Sequence, residues 1–182
     1  MTSSTTLSGK RVLVTGASRG IGKAIAQAMA DAGATVALAA RTGTTEAKKE
    51  IEQAGGKAIG YRSDVSDEAQ VLQLFDDIVS DLGGVDVVVN NAGVLLEKPL
   101  LQTETDDFDR LMAVNLRGTF LVGREAIRRM VGNNGGGRVI NIASDLLSVS
   151  ACNRSVAIIK GARQIICNNV NLFVFINTSN SP

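Results

Sequence analysis

Short apolar runs alternate with amphipathic stretches along most of the chain. Lys10–Thr15 (KRVLVT) is a β-branched run that ends in a glycine-rich turn. Residues 20–32 then place Ile21, Ile25 and Met29 at a four-residue spacing with Ala24, Ala28 and Ala32 beside them. That pattern predicts a helix lying close on a sheet, because alanine permits near approach. Thr35–Ala40 and Lys57–Arg62 read as the second and third strands, with a helix over Thr45–Ala54 between them that closes at Gly55-Gly56. Ser66 is the expected N-cap of the next helix, with Asp67 and Glu68 favourably placed against its dipole, and that helix stops at Gly83-Gly84. Val85–Val89 (VDVVV) is continuously apolar, as a strand covered on both faces requires. A long helix is predicted from about Asp107 to Val131, and Arg138–Ala143 is the fifth strand.

Repeated strand–helix units predict parallel strands joined by right-handed crossovers, an α/β fold with a doubly wound parallel sheet. The pattern weakens after Ser148, where residues 155–167 give a helix anchored by Val156, Ile159 and Ile166, and Leu172–Ile176 (LFVFI) a sixth strand. No repeat or linker divides the chain. Residues 1–182 are therefore read as a single domain of about six strands, with 1–8 a disordered N-terminal tail and 149–182 a divergent, truncated C-terminal part. The sheet is expected to be incomplete at its C-terminal edge.

Composition narrows the chemistry. Of 182 residues, 45% are hydrophobic and 20% charged, and Lys+Arg 19 against Asp+Glu 18 leaves no basic block to favour nucleic acid or an anionic membrane surface. The opening MTSSTTLSGK lacks the apolar centre of a signal peptide and no run is long enough to span a bilayer, so a cytoplasmic location is expected. Histidine is absent, which removes Ser-His triads, His-ligated zinc and imidazole acid–base chemistry. Cys152 and Cys167 form no CxxC pair and read as small buried hydrophobes; no metal site is expected.

After the first strand comes TGASRGIG, with Gly16, Gly20 and Gly22 opening a helix. Glycine lets the backbone turn sharply and approach a pyrophosphate, whose charge the amides and dipole of the helix N-terminus then meet. This placement, between first strand and first helix, points to a dinucleotide site of the Rossmann kind. An NAD site wants a carboxylate about 20 residues further on to hold the ribose hydroxyls, yet no acid occurs between Val36 and Thr45. Arg41, at the end of the second strand, and Arg19 offer guanidinium groups instead, whose planar forks suit a 2′-phosphate. NADP is preferred to NAD. On the long helix Phe108, Leu111, Met112, Leu116 and Thr119 make the expected inward stripe, and Asn115 falls inside it, where a buried amide needs partners.

TGASRGIG together with Asp64-Val65, the run Asn90–Gly93 (NNAG) and VNLRG around Asn115 resembles the classical short-chain dehydrogenase/reductase family, and most nearly its 3-oxoacyl-carrier-protein reductase-like members. The resemblance covers residues 7–147. It implies that Gly16, Ser18, Arg19, Gly20, Ile21 and Gly22 hold the cofactor, that Asp64 bonds the adenine amino group with Val65 beside it in the cofactor site, and that the NNAG run, with Asn91, Ala92 and Gly93, lines the adenosine side. It further implies hydride transfer to or from a carbonyl or alcohol substrate by an Asn, Ser, Tyr, Lys tetrad. Asn115, Ser144 and Lys160 match the Asn, Ser and Lys, the last also binding the nicotinamide ribose.

The Tyr has no match: four residues before Lys160 stands Val156, which has no ionisable group. The family's later strand and substrate-covering helices are not recognisable in NLFVFINTSNSP, so an exposed sheet edge is expected beside the fifth strand. Three readings are open. The chain is an NADP-dependent reductase of impaired activity; or a non-catalytic NADP-binding module paired with an intact homologue; or an unstable truncated product; whether it forms a homo-oligomer is left open.

Overall fold

Among the described residues six strands, β1 (Arg11–Thr15), β2 (Thr35–Ala40), β3 (Lys57–Arg62), β4 (Val87–Asn90), β5 (Arg138–Ser144) and β6 (Phe173–Ile176), form one sheet in the order β3-β2-β1-β4-β5-β6, every pair parallel. The structure, a computed structural model, describes residues 6–96, 98–132, 136–144 and 173–176. The helix expected over 155–167, with Val156, Lys160 and both cysteines, lies outside the described residues.

Alternation along β1 shows how the sheet is covered. Leu13, in register with Ala37 on β2 and Val88 on β4, joins one core with Val71, Leu74, Phe75 and Ile78 of α3 (Glu68–Leu82) and Leu121, Val122 and Ala126 of α5 (Thr119–Gly132). Val12 and Val14 point the other way, into a second core with Ala26 and Ala30 of α1 (Gly20–Asp31) and Ala47 and Ile51 of α2 (Thr45–Gln53). Such two-sided burial explains why the central strands are apolar throughout. Each fully buried Val, Leu, Ile or Phe contributes about 1.5–3 kcal/mol.

Several sequence expectations need correction. On α1 the residues facing the sheet are Gly22, Ala26 and Ala30; Ile25 and Met29 flank them half-buried and Ile21 is 48% exposed. Small side chains take the line of closest approach, and the larger ones fill the angles beside it. The N-cap of α3 is Asp67, whose side chain accepts from Gln70 N, because Ser66 is engaged with Asp64 instead. The fifth strand is not the edge of the sheet, since β6 pairs with β5 from Asn141↔Phe173 to Ser144↔Ile176. Leu7, assigned by sequence to the N-terminal tail, donates its N–H to Ala32 O and packs against the α1–α2 core.

The long helix is present but is not uniform. It runs as α4 (Thr105–Leu111), a π-helical turn (Met112–Gly118) and then α5. A π turn bonds i to i+5 and so rotates the helix face beyond it out of phase. Of the expected stripe only Leu111 and Thr119 are buried, Met112 and Leu116 are intermediate, and Phe108 is 41% exposed. Beyond the turn the buried face is Leu121, Val122, Glu125, Ala126 and Met130.

Candidate functional site

The chain leaves β1 toward β2 and later returns on β1's other side as β4, so the loops after these strands diverge at their carboxyl ends. A topological switch of this kind opens a crevice in α/β sheets. Here it is a cleft of about 380 Å³, and it gathers sequence-distant residues: Gly16, Ser18, Arg19, Gly20, Ile21 and Gly22; Arg41; Asp64 and Val65; Asn91, Ala92 and Gly93. All of these were expected at one site from the sequence. The structure adds Ala39, Ala40, Thr42, Ser63, Val94 and Val114.

The glycine turn is built against the loop after β4. Thr15, buried at the end of β1, receives hydrogen bonds on Oγ1 from the N–H groups of Asn91 and Ala92, both at 3.1 Å. Asn91 Nδ2 donates back to Thr15 O at 2.9 Å and to Gly16 O at 3.3 Å. Two loops are thereby locked at van der Waals distance. A Cβ on Gly16, whose φ is +66°, would lie 2.8 Å from Ala92 Cα. One on Gly22 would collide with Asn91 Nδ2 and Gly16 O. Thr15 was not singled out from sequence, although a hydroxyl at the end of a central strand, before a glycine turn, is a readable signal.

The N-terminus of α1 opens into this cleft. Its N-cap, Arg19, makes no side-chain cap hydrogen bond and the first turn holds no acidic residue. The first amides of a helix have no intrahelical partners, so this end fits an anionic group. Along the β2–β3 end, Arg41 is 58% exposed with Nη1 4.0 Å from Asp64 Oδ2, while Asp64 Oδ1 accepts from Ser66 N and Oγ at 3.0 and 2.6 Å. Arg62 Nε donates to Arg41 O at 3.2 Å. An exposed guanidinium at the rim of the cleft is thus weakly tethered by one carboxylate.

Asn115 sits in the π turn. Its Oδ1 accepts from Val94 N at 2.8 Å and its Nδ2 donates to Val94 O at 2.9 Å, so one amide satisfies both backbone groups of a cleft-lining residue. Thr119 Oγ1 donates to Asn115 O at 2.9 Å, one turn on. Asn90, buried, donates to Asn141 Oδ1 at 2.9 Å and bridges β4 to β5. Ser144 is the last residue of β5, in register with Ile176. Lys160 lies outside the described residues.

Tyr61, the sole tyrosine, is packed in the α3 core with its hydroxyl donating to Asp81 Oδ2 at 2.9 Å. Burial first, and then this carboxylate, push its pKa well above the ordinary 10.0. It is not among the residues lining the cleft. No helix among the described residues is long and apolar enough to cross a membrane.

The family profile described as short chain dehydrogenase matches residues 10–156. A short-chain dehydrogenase/reductase of Armillaria gallica is 43% identical over 148 residues, 79% of this chain and 57% of the relative. The 3-oxoacyl-[acyl-carrier-protein] reductase of Aquifex aeolicus is 38% identical over 141 residues, 76% of this chain and 56% of the relative. Among solved structures, a short-chain type dehydrogenase/reductase from Mycobacterium marinum superposes with a TM-score of 0.83 at 38% identity, covering 90% of this chain and 66% of that one. The chain spans a little over half the length of these curated relatives.

Proposed function

Because the chain belongs to the short-chain dehydrogenase family, we propose that it is the nucleotide-binding unit of an NADP-dependent oxidoreductase acting between a carbonyl and an alcohol. The observation that carries this reading is the convergence of Gly16–Gly22, Arg41, Asp64-Val65 and Asn91–Gly93 on one cleft at the carboxyl ends of parallel strands. When bound, the nicotinamide supplies or accepts the hydride. The chain's own residues hold and orient it. The uncapped α1 N-terminus takes the pyrophosphate, Asp64 and Val65 take the adenine, and the loop held by Asn91 and Asn115 forms the floor. Ser144 orients the substrate carbonyl and Lys160 the nicotinamide ribose.

Arg41 carries the preference for NADP. No carboxylate on β2 competes for a ribose hydroxyl, and a planar guanidinium binds two phosphate oxygens at once. Arg41→Ala is expected to weaken NADPH about 10- to 100-fold, the worth of a charge-assisted hydrogen bond, and to leave NADH nearly unchanged. Fluorescence titration of both coenzymes checks this; an unchanged NADPH/NADH ratio removes Arg41 from the phosphate site.

A second reading rests on Val156. A positioned acid contributes about 10²–10⁴ in rate, valine cannot supply it, and Tyr61 is committed to Asp81. On this reading the chain binds NADP without turning it over and acts by pairing with a like or related chain. Phe120, Ile127 and Val131, 47%, 43% and 69% exposed on α5, are the surface for such pairing. NADPH titration followed by its oxidation with a panel of ketones and 3-oxoacyl thioesters separates the two. Tight binding without oxidation supports the module; turnover abolished by Lys160→Ala supports the enzyme. Val156→Tyr is expected to raise any turnover if the phenol alone is lacking, and an unchanged rate would place the deficit in the substrate pocket.

A further inference from the structure

The π-helical turn Met112–Gly118 touches two separate loops that wall the cleft, and it does so with three closely spaced residues, Asn115, Arg117 and Gly118. Val114 lines the cleft itself. Asn115 holds Val94, on the loop after β4, by the paired hydrogen bonds described above. Arg117 Nη1 donates to Ser66 O at 2.8 Å, on the loop after β3. Gly118 backs onto the same loop so closely that a Cβ there would lie 2.7 Å from Val65 Cγ2 and 3.2 Å from Val65 O. Ser66 in turn fixes the Asp64 carboxylate through its N–H and hydroxyl.

We infer that this turn is a strut that sets the distance between the Asp64–Ser66 wall and the Val94 wall, with Arg117 a positioning residue for the adenosine half of the nucleotide. The inference rests on the nucleotide reading above and adds to it a residue outside the cleft. Arg117 does not line the cleft; its guanidinium acts through Ser66 O, and Ser66 acts on Asp64. Its π-helical setting matters because π turns are uncommon and concentrate where a helix must meet a functional site. Here the wider turn lets a single segment reach two loops at once. The wall that it steadies meets Arg41 only through an exposed contact of 4.0 Å to Asp64, so loss of Arg117 weakens phosphorylated and unphosphorylated nucleotides by similar factors.

The test uses the full chain and three probes: NADPH, NADH and adenosine 2′,5′-bisphosphate, the last carrying only the adenosine half. Arg117→Ala is expected to weaken all three about three- to tenfold, the range for one exposed hydrogen bond to a backbone carbonyl, with the NADPH/NADH ratio unchanged. Arg117→Lys, which keeps a donor, is expected to recover most of the loss, and the melting temperature without nucleotide to stay near that of the wild type. If the alanine variant does not fold, Arg117→Gln is read on the same criteria. Unchanged affinities in a chain whose wild type binds normally would overturn the strut alone, as would a loss confined to NADPH or a lysine variant as weak as alanine. Failure of the wild type to bind any of the three would overturn the nucleotide reading, and the role of Arg117 with it.

Discussion

Gly22→Ala is expected to abolish measurable NADPH binding, a loss of more than about a hundredfold, since several charge-assisted amide contacts of about 1.5–3 kcal/mol each are displaced together. The added methyl would collide with Asn91 Nδ2 and Gly16 O and stand 2.9 Å from the Gly16 carbonyl carbon. Two of these are backbone atoms, so no side-chain rotation relieves the clash. The glycine turn must lift off the Asn90–Gly93 loop, and the first amides of α1 leave the phosphate position. Over-packing of this kind also costs about 1–3 kcal/mol of stability. Gly20→Ala is the informative control. A Cβ at Gly20 meets nothing within 4 Å, and only its φ of +59° opposes substitution, a strain of about 1–2 kcal/mol. Titration of both variants with NADPH, alongside urea unfolding, should show Gly22→Ala far more damaging to binding than Gly20→Ala. Equal effects would mean that the turn does not cradle phosphate.

The second large effect lies at the other end of the sheet. Asp86 accepts from Arg11 N, Nε and Nη2, each at 2.8 Å, and its own backbone N–H donates to Arg11 O while its carbonyl accepts from Arg138 N. One residue thus ties the entries of β1, β4 and β5. Its side chain is 24% exposed and that of Arg11 30%, so solvent replaces the lost partner only in part. Asp86→Ala is expected to cost about 2–3 kcal/mol, the scale of hydrogen bonds to a charged group. The Arg11 hydrogen bonds hold the Asp86 carboxyl below its ordinary 3.8, against the opposing effect of burial. The native state therefore favours the ionised form more than the unfolded state does. That stabilisation is complete above the unfolded value and disappears as pH falls through the lower native one. The gap between wild type and Asp86→Ala, measured by urea unfolding, should be full at pH 7 and shrink below about pH 4. A gap independent of pH would assign the effect to backbone geometry.

Much of this was legible in order along the chain, and the reasons are local. Strand–helix alternation, continuous apolar runs such as VDVVV and a glycine turn between first strand and first helix are nearest-neighbour or period-bound signals, and they led to the parallel, doubly wound sheet. Asn115 was visible as an amide within an apolar stripe. Its partner was not, because Val94 contributes only backbone, and backbone groups carry no sequence mark. Periodicity over Asp107–Val131 assumes one constant pitch and so carries no mark of the π turn, whose Asn115 and Gly118 meet loops far away in sequence.

By itself, then, the sequence determined the fold class, the convergence of the glycine turn, Arg41, Asp64-Val65 and Asn91–Gly93 on the cleft and the lack of a phenol at Val156, since each depends on residue type at a given place in a repeating pattern. Tertiary structure alone decided which small residues of α1 touch the sheet, that Asp67 and not Ser66 caps α3, that β6 covers β5, and how Arg117 and Asn115 brace two walls from one turn. Those outcomes turn on close fits between segments far apart in the chain, where packing and the need to satisfy buried polar groups outweigh any local preference.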